Sequence, residues 1–172
     1  EEAPRVFKGH VDAVQGLAFD PAGQWLASSG WDGAIWLWSL SKEVETRLVQ
    51  DVKGTYWTLD VDPSGKTLVV GEDLGQVSLV PLDGAEPKRL EGFETAVISV
   101  EFRPDGKVVA GAGVTDDPQD AVLRLWNLET GEAATLSPND GKGINSVSFD
   151  RKGERLLTSS GSGVRLWDVQ RG

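Results

Sequence analysis

The side chains whose types best suit chemistry are the single histidine, His10, together with Ser28 and Asp32. An imidazole set between a hydroxyl and a carboxylate is the composition of an activated nucleophile: the ring takes the serine proton and the carboxylate orients the ring. The rest of the chain lends that reading little support. Cysteine is absent, which excludes disulfides, thiol nucleophiles and thiolate metal sites. Lys142-Gly143 stands outside the G-x-x-x-x-G-K-S/T frame of a phosphate loop. Asp116, Asp117 and Asp120, in the segment 113–121, offer hard oxygens of the kind Ca²⁺ takes. Their spacing matches no Ca²⁺ loop, however, and a solvated acidic loop is the favoured reading. Ser137 to Gly143 reads as a plain turn. No catalytic residue, metal-ligand set or cofactor is therefore expected.

The elements that hold these residues are legible in the stretch Gly9 to Leu40. Three alternating apolar runs, 14–19, 25–28 and 34–38, are separated by Asp20-Pro21-Ala22-Gly23 and Trp31-Asp32-Gly33. Alternation of this kind marks half-buried strands. Pro presets φ and Gly accepts positive φ, so both separators read as tight connections between antiparallel neighbours. The pattern recurs around Gly23, Gly65, Gly106 and Gly153, in Phe19-Asp-Pro-Ala-Gly, Val61-Asp-Pro-Ser-Gly, Phe102-Arg-Pro-Asp-Gly and Phe149-Asp-Arg-Lys-Gly. Third strands end at Trp38-Ser39-Leu40, Val80-Pro81-Leu82, Trp126-Asn127-Leu128 and Trp167-Asp168-Val169. A period near 42 residues with four strands per unit is that of a propeller blade. Outer strands are expected near 46–49, 88–90 and 133–136; the fourth unit has only three.

Gly9-His10, Asp32 and Trp38 in the first repeat, and Trp167-Asp168 in the fourth, make the resemblance specific. Over almost its whole length the sequence resembles the WD-repeat β-propeller family. The resemblance implies an all-β fold: a single unit over 1–172 with four WD-type blades of four antiparallel strands, the repeats falling at about 7–40, 49–82, 90–128 and 136–169. In that family Arg5, Val6 and Phe7 would form the outer strand of a preceding blade, so the amino-terminal strand is expected to close a last blade. Three closures are open: a second copy giving an eight-bladed ring, which is preferred; further blades of a longer chain; or a ring closed within one chain. The resemblance also assigns His10, Ser28, Asp32 and Trp38 to a buried hydrogen-bonded tetrad that is structural, not catalytic. Only the first repeat has all four, so the other blades are expected to depend on apolar packing alone. The rim around the channel is where family members receive peptides or proteins. Here it maps to Gln15, Trp57, Ile98 and Asn145 on the inner strands, with Trp31 and Phe93 in nearby loops; filling of gaps between blades is an equal alternative for Trp57 and the favoured one for Trp31.

The chain has 172 residues and a formal charge of −10, which disfavours nucleic acid and anionic membrane surfaces, since both are bound through clustered Lys and Arg. No apolar stretch of 18 residues occurs, so no helical span is expected. There is no methionine, as expected of a piece of a longer translation product, and no signal peptide is visible, so a cytoplasmic location is expected. The resemblance implies a non-catalytic interaction scaffold, with a sensor or regulatory region of a bacterial signalling protein as the narrower expectation. The alternative is a propeller that binds a small ligand, a sugar or Ca²⁺, through Trp57 and the acidic loop; a metal-assisted hydrolase is the least favoured.

Overall fold

The computed structural model describes residues 3–41, 46–51, 54–90, 92–113, 123–136 and 143–169. The acidic loop 114–121 lies outside them. The described strands are β1 (Val14–Phe19), β2 (Trp25–Gly30), β3 (Ala34–Ser39), β4 (Arg47–Asp51), β5 (Tyr56–Val61), β6 (Thr67–Glu72), β7 (Val77–Pro81), β8 (Lys88–Leu90), β9 (Val97–Phe102), β10 (Val108–Gly113), β11 (Leu123–Asn127), β12 (Ala133–Leu136), β13 (Ile144–Phe149), β14 (Arg155–Ser160) and β15 (Gly163–Asp168). They form three four-stranded antiparallel sheets and one three-stranded sheet, each in chain order. The fold is all-β, built of propeller blades, as the repeat implies. Several strands run one or two residues past the sequence estimate, because ladder bonds continue into the turn glycines and serines where hydropathy no longer alternates.

The turn after each inner strand repeats almost atom for atom. Gly23, Gly65, Gly106 and Gly153 have φ of 68°, 69°, 71° and 68°, a region that residues with a Cβ rarely adopt. The carboxylate before the turn accepts backbone N–H groups across it: Asp20 from Trp25, Asp62 from Thr67 and Asp150 from Glu154. In the third blade Arg103 takes that position and Asp105 accepts from the Lys107 N–H instead.

Each blade has two faces, and neighbouring blades meet by one of each. The β2–β3 side of the first blade (Trp25, Ala27, Ile35, Leu37) packs on the second blade's Tyr56, Leu59, Val61 and Leu68. Val69 and Val77 pack likewise on Val97, Val100 and Phe102, and Ala110 and Leu123 on Ile144, Val147 and Phe149. Inner strands follow one another in space, β1 beside β5, β5 beside β9, β9 beside β13. The chain does not close on itself. Residues 5–7, expected to complete a last blade, form no strand; Phe7 lies against the first blade, its ring 5.5 Å from that of Trp38. The fourth sheet keeps three strands. A self-closed ring is thus corrected to an open succession of blades: both end faces stay uncovered.

Apolar packing is supplemented by polar links between blades. The Thr58 hydroxyl accepts the Val100 N–H at 3.3 Å and the Ser99 hydroxyl the Val147 N–H at 3.1 Å. Two carboxylates do the same one step along: Asp60 accepts from Phe102 N–H at 2.8 Å and Glu101 from Phe149 N–H at 3.0 Å. Burial pushes the Glu101 carboxyl up to about 7 against the Phe149 hydrogen bond, and the nearby Asp60 charge adds to the rise. A carboxyl raised in the folded state favours folding while protonated. That contribution is complete below its unfolded value of 4.5 and is lost as pH rises through 7. Glu101→Gln keeps an acceptor for Phe149 and never ionises. The variant is expected to melt with wild type below pH 4.5 and above it at neutral pH and beyond, the gap opening between 4.5 and 7; calorimetry across pH checks this.

Candidate functional site

The first blade brings His10, Ser28, Asp32 and Trp38 together. His10 sits before β1, Ser28 on β2, Asp32 in the β2–β3 turn and Trp38 on β3. The Trp38 indole N–H donates to Ser28 Oγ at 2.7 Å, and Ser28 Oγ lies 2.6 Å from His10 Nε2. His10 Nδ1 is 2.9 Å from both oxygens of Asp32. One direction of donation satisfies all four: indole to hydroxyl, hydroxyl to Nε2, Nδ1–H to carboxylate. The network thereby assigns the histidine tautomer. Asp32 also accepts the N–H groups of Val11 and Ala34. Burial opposes its charge, yet His10 and these donors hold its pKa below the usual carboxylate value.

The polarity is that of a catalytic triad, but the accessibility is not. Ser28 is 2% exposed, and its oxygen already accepts an indole N–H. The relay ties the loop before β1 to β2, β3 and their turn. Gly9 makes room for this: a Cβ there would lie 2.7 Å from the Trp38 ring. Trp36 stacks on Trp38, with centroids 5.1 Å apart and planes 18° apart.

The fourth blade keeps one hydrogen bond of the arrangement, which corrects the expectation of apolar packing alone there: the Trp167 indole donates to Thr158 Oγ1 at 2.9 Å. In the third, Gly111 replaces the serine; a Cβ there would meet the Trp126 ring at 2.7 Å. Phe93 stands where His10 does in the first blade, edge-on to Trp126 at 5.9 Å with the Arg124 guanidinium over its ring at 5.6 Å. Phe93 is half-buried and takes part in this packing.

The rim positions share a feature that hydropathy does not reveal. Every inner strand breaks register with its neighbour at the second residue, leaving Gln15, Trp57, Ile98 and Asn145 each as the extra residue of a bulge. A bulge frees its side chain from the ladder and re-aims it. Gln15 and Asn145 are exposed, Trp57 and Ile98 half-buried. Trp31 meets Trp57 edge to face, centroids 5.2 Å apart. Trp31 is 41% exposed, and its backbone is anchored by an N–H donated to Ala13 at 2.9 Å. Sequence reasoning missed Leu74, which takes the turn position of Asp32 in the second blade and is exposed; an apolar residue at a turn apex was the available signal. Among the described residues, no group of three or more His, Cys, Asp or Glu could hold a metal ion.

His10→Ala leaves a buried hydroxyl and carboxylate short of a partner and is expected to cost about 1–3 kcal/mol. Thr158→Val removes one acceptor and is expected to cost about 1 kcal/mol. Denaturant titration with unchanged slope measures both; an unmoved midpoint for His10→Ala would show that the relay does not hold the blade.

Comparison with known proteins agrees with this architecture. The family profile described as WD domain, G-beta repeat matches residues 2–39 and 132–168. The chain is 24% identical to a ribosome biogenesis protein WDR12 homolog of Oryza sativa subsp. japonica, over 98% of this chain and 35% of that protein. It is 29% identical to the WD repeat-containing protein SL1-17 of Schistosoma mansoni, over 96% of this chain and 54% of the relative. It is 25% identical to the pre-mRNA-processing factor 19 of Oryza sativa subsp. japonica, over 95% and 31%. The chain thus spans from about a third to about half the length of these relatives. The repeated blades, the indole–hydroxyl–imidazole–carboxylate relay and these matches together make the chain similar to WD-repeat proteins, with WD-type repeats matched at residues 2–39 and 132–168.

Proposed function

We propose that this chain is a non-catalytic scaffold module that binds a peptide or protein at the channel-side rim. The observation that carries the reading is the Trp31–Trp57 pair: two large aromatic rings in edge contact, partly open to solvent, on a backbone fixed by hydrogen bonds. Partly exposed tryptophans on a rigid support supply contact area at low entropic cost and are over-represented among residues that dominate binding energy. Leu74, at a turn of the second blade, is a further exposed apolar side chain, and Gln15 and Asn145 give exposed amides for backbone recognition. The relatives bear names of assembly and processing factors, which supports an interaction role. A narrower role as a sensor region of a bacterial signalling protein draws no support from the named relatives, which are eukaryotic.

Peptides selected from a random display library against the immobilised chain test the reading. Trp31→Ala and Trp57→Ala are each expected to cost roughly 2 kcal/mol of binding, about thirtyfold in Kd. Selected peptides indifferent to both changes would move the binding surface elsewhere. Calorimetric titration with Ca²⁺ is expected to give no saturable heat; a saturable one would favour the small-ligand alternative.

A further inference from the structure

The junction between the first and second blades lies inside the array, and its rim carries the two tryptophans. Trp31 projects from the β2–β3 turn and Trp57 from the bulge of β5; their ring planes stand at 63°, so together they wall a corner. What Trp57 offers there is carbon. Its indole nitrogen is buried and has no hydrogen-bond partner among the described residues, so the part of the side chain left in water presents ring carbons and no donor. A carboxylate or phosphate, which must accept hydrogen bonds, gains nothing from this ring. A cation does gain, because the face of an indole carries the negative part of its quadrupole. The chain makes the same kind of contact within itself, where the Arg124 guanidinium lies over the Phe93 ring at 5.6 Å.

The charges beside the corner are of one sign. Among the described residues of the segments 31–33, 54–55 and 72–76, the ionisable side chains are Asp32, Glu72 and Asp73, with no Lys or Arg. Asp32 is engaged by His10. Asp73 is tied to the strand that carries Trp57: its N–H donates to the Thr55 carbonyl at 3.1 Å, and its Oδ2 accepts from the Thr55 hydroxyl at 3.0 Å. A carboxylate has room for about four such bonds, so Asp73 keeps capacity beyond Thr55. Glu72 stands opposite Tyr56 in the β5–β6 ladder. Burial does most to raise the Glu72 carboxyl above its ordinary value, and the Asp73 charge adds to the rise against the Ser78 hydrogen bond and the Arg89 charge. Two like charges side by side favour a cation arriving from outside. The formal charge of −10 draws cationic partners toward the chain as a whole.

We infer that the Trp31–Trp57 corner seats a cationic side chain, the Lys or Arg of an extended peptide, with Asp73 as its counter-charge. The inference rests on the rim-binding reading above and adds the chemistry of the anchor. The alkyl stem of such a side chain packs on the indole carbons, while its head stays hydrated and turns to the carboxylate. An acidic anchor would meet ring carbons and like charge together.

The salts n-butylguanidinium chloride and n-butylammonium chloride carry the two side-chain heads alone. Titrated into the chain labelled with ¹⁵N-tryptophan, they are expected to shift the indole resonances of Trp31 and Trp57 saturably and to leave those of Trp126 and Trp167 in place. The neutral n-butyramide is expected to shift neither pair. Asp73→Asn keeps an acceptor for Thr55 and removes the charge; it is expected to weaken the cation's binding about fivefold. Glu154→Gln, in the turn after β13, is expected to leave it unchanged. Silence at Trp31 and Trp57, an equal response to n-butyramide, or an unchanged affinity in Asp73→Asn overturns the inference. So do shifts at the two rings that depend on protein concentration without added ligand, which would place a second copy in the corner. If Asp73→Asn fails to fold, salt decides: binding of n-butylguanidinium to the wild type must weaken as sodium chloride rises, since screening acts on the charge and not on the indole contact. The display selection separates this inference from the reading beneath it. Peptides that need both tryptophans but hold no Lys or Arg sink the cationic anchor alone; peptides indifferent to both rings sink the two together.

Discussion

A blade of this protein cannot cover itself. Each sheet has two apolar faces and is too small to bury either alone, so its stability lies in the blade next to it. Fully burying one Val, Leu or Phe side chain is worth about 1.5–3 kcal/mol, and every interior junction buries several from both sides. This pairing of unlike faces explains why the repeat propagates, why the inner strands lie in succession, and why the ends differ from the middle. The stability of such an array is a sum of unit terms and nearest-neighbour terms.

Polar chemistry is distributed around this apolar frame according to what each junction leaves room for. Gly16 and Ala18 stand in the first blade where Thr58 and Asp60, or Ser99 and Glu101, stand in the next two. A Cβ at Gly16 would lie 2.8 Å from the Leu59 nitrogen, so the first junction is the close one and has no space for a side-chain acceptor. The wider junctions admit carboxylates, which gain backbone donors and lose solvation, and Glu101 shows the cost in its raised pKa. The full His–Ser–Asp–Trp relay belongs to the first blade, the indole–hydroxyl pair to the fourth, and glycine with a phenyl ring to the third. One spatial role, fixing the third strand's tryptophan, is thus met by three chemistries.

The same relay illustrates how little residue type says about activity. Its donors and acceptors run in the order of a nucleophilic triad, but the serine oxygen is buried and occupied. Binding capacity is better sought where the structure leaves large side chains half in water on fixed backbone, as at Trp31 and Trp57. There the bulge in each inner strand matters: it takes one residue per blade out of the ladder and aims it away from its neighbours' alternation.

The strands, their turns and the four-blade repeat were determined by the sequence, because alternation and turn glycines act within a few residues and repeat in phase. So was the tetrad's membership, through the resemblance carried by Gly9-His10, Asp32 and Trp38. Three things were decided only by tertiary structure. The bulges at Gln15, Trp57, Ile98 and Asn145 arise from how two strands pair, which no single strand's hydropathy encodes. Phe93 and Trp126 found each other across a glycine whose importance is the volume it leaves empty. Most of all, Leu17 and Phe19 read identically to their buried counterparts in the text of the repeat. Only the position of a blade in the array decides whether such a residue meets a neighbour or water, because burial is a property of two surfaces and the sequence of one blade describes a single one.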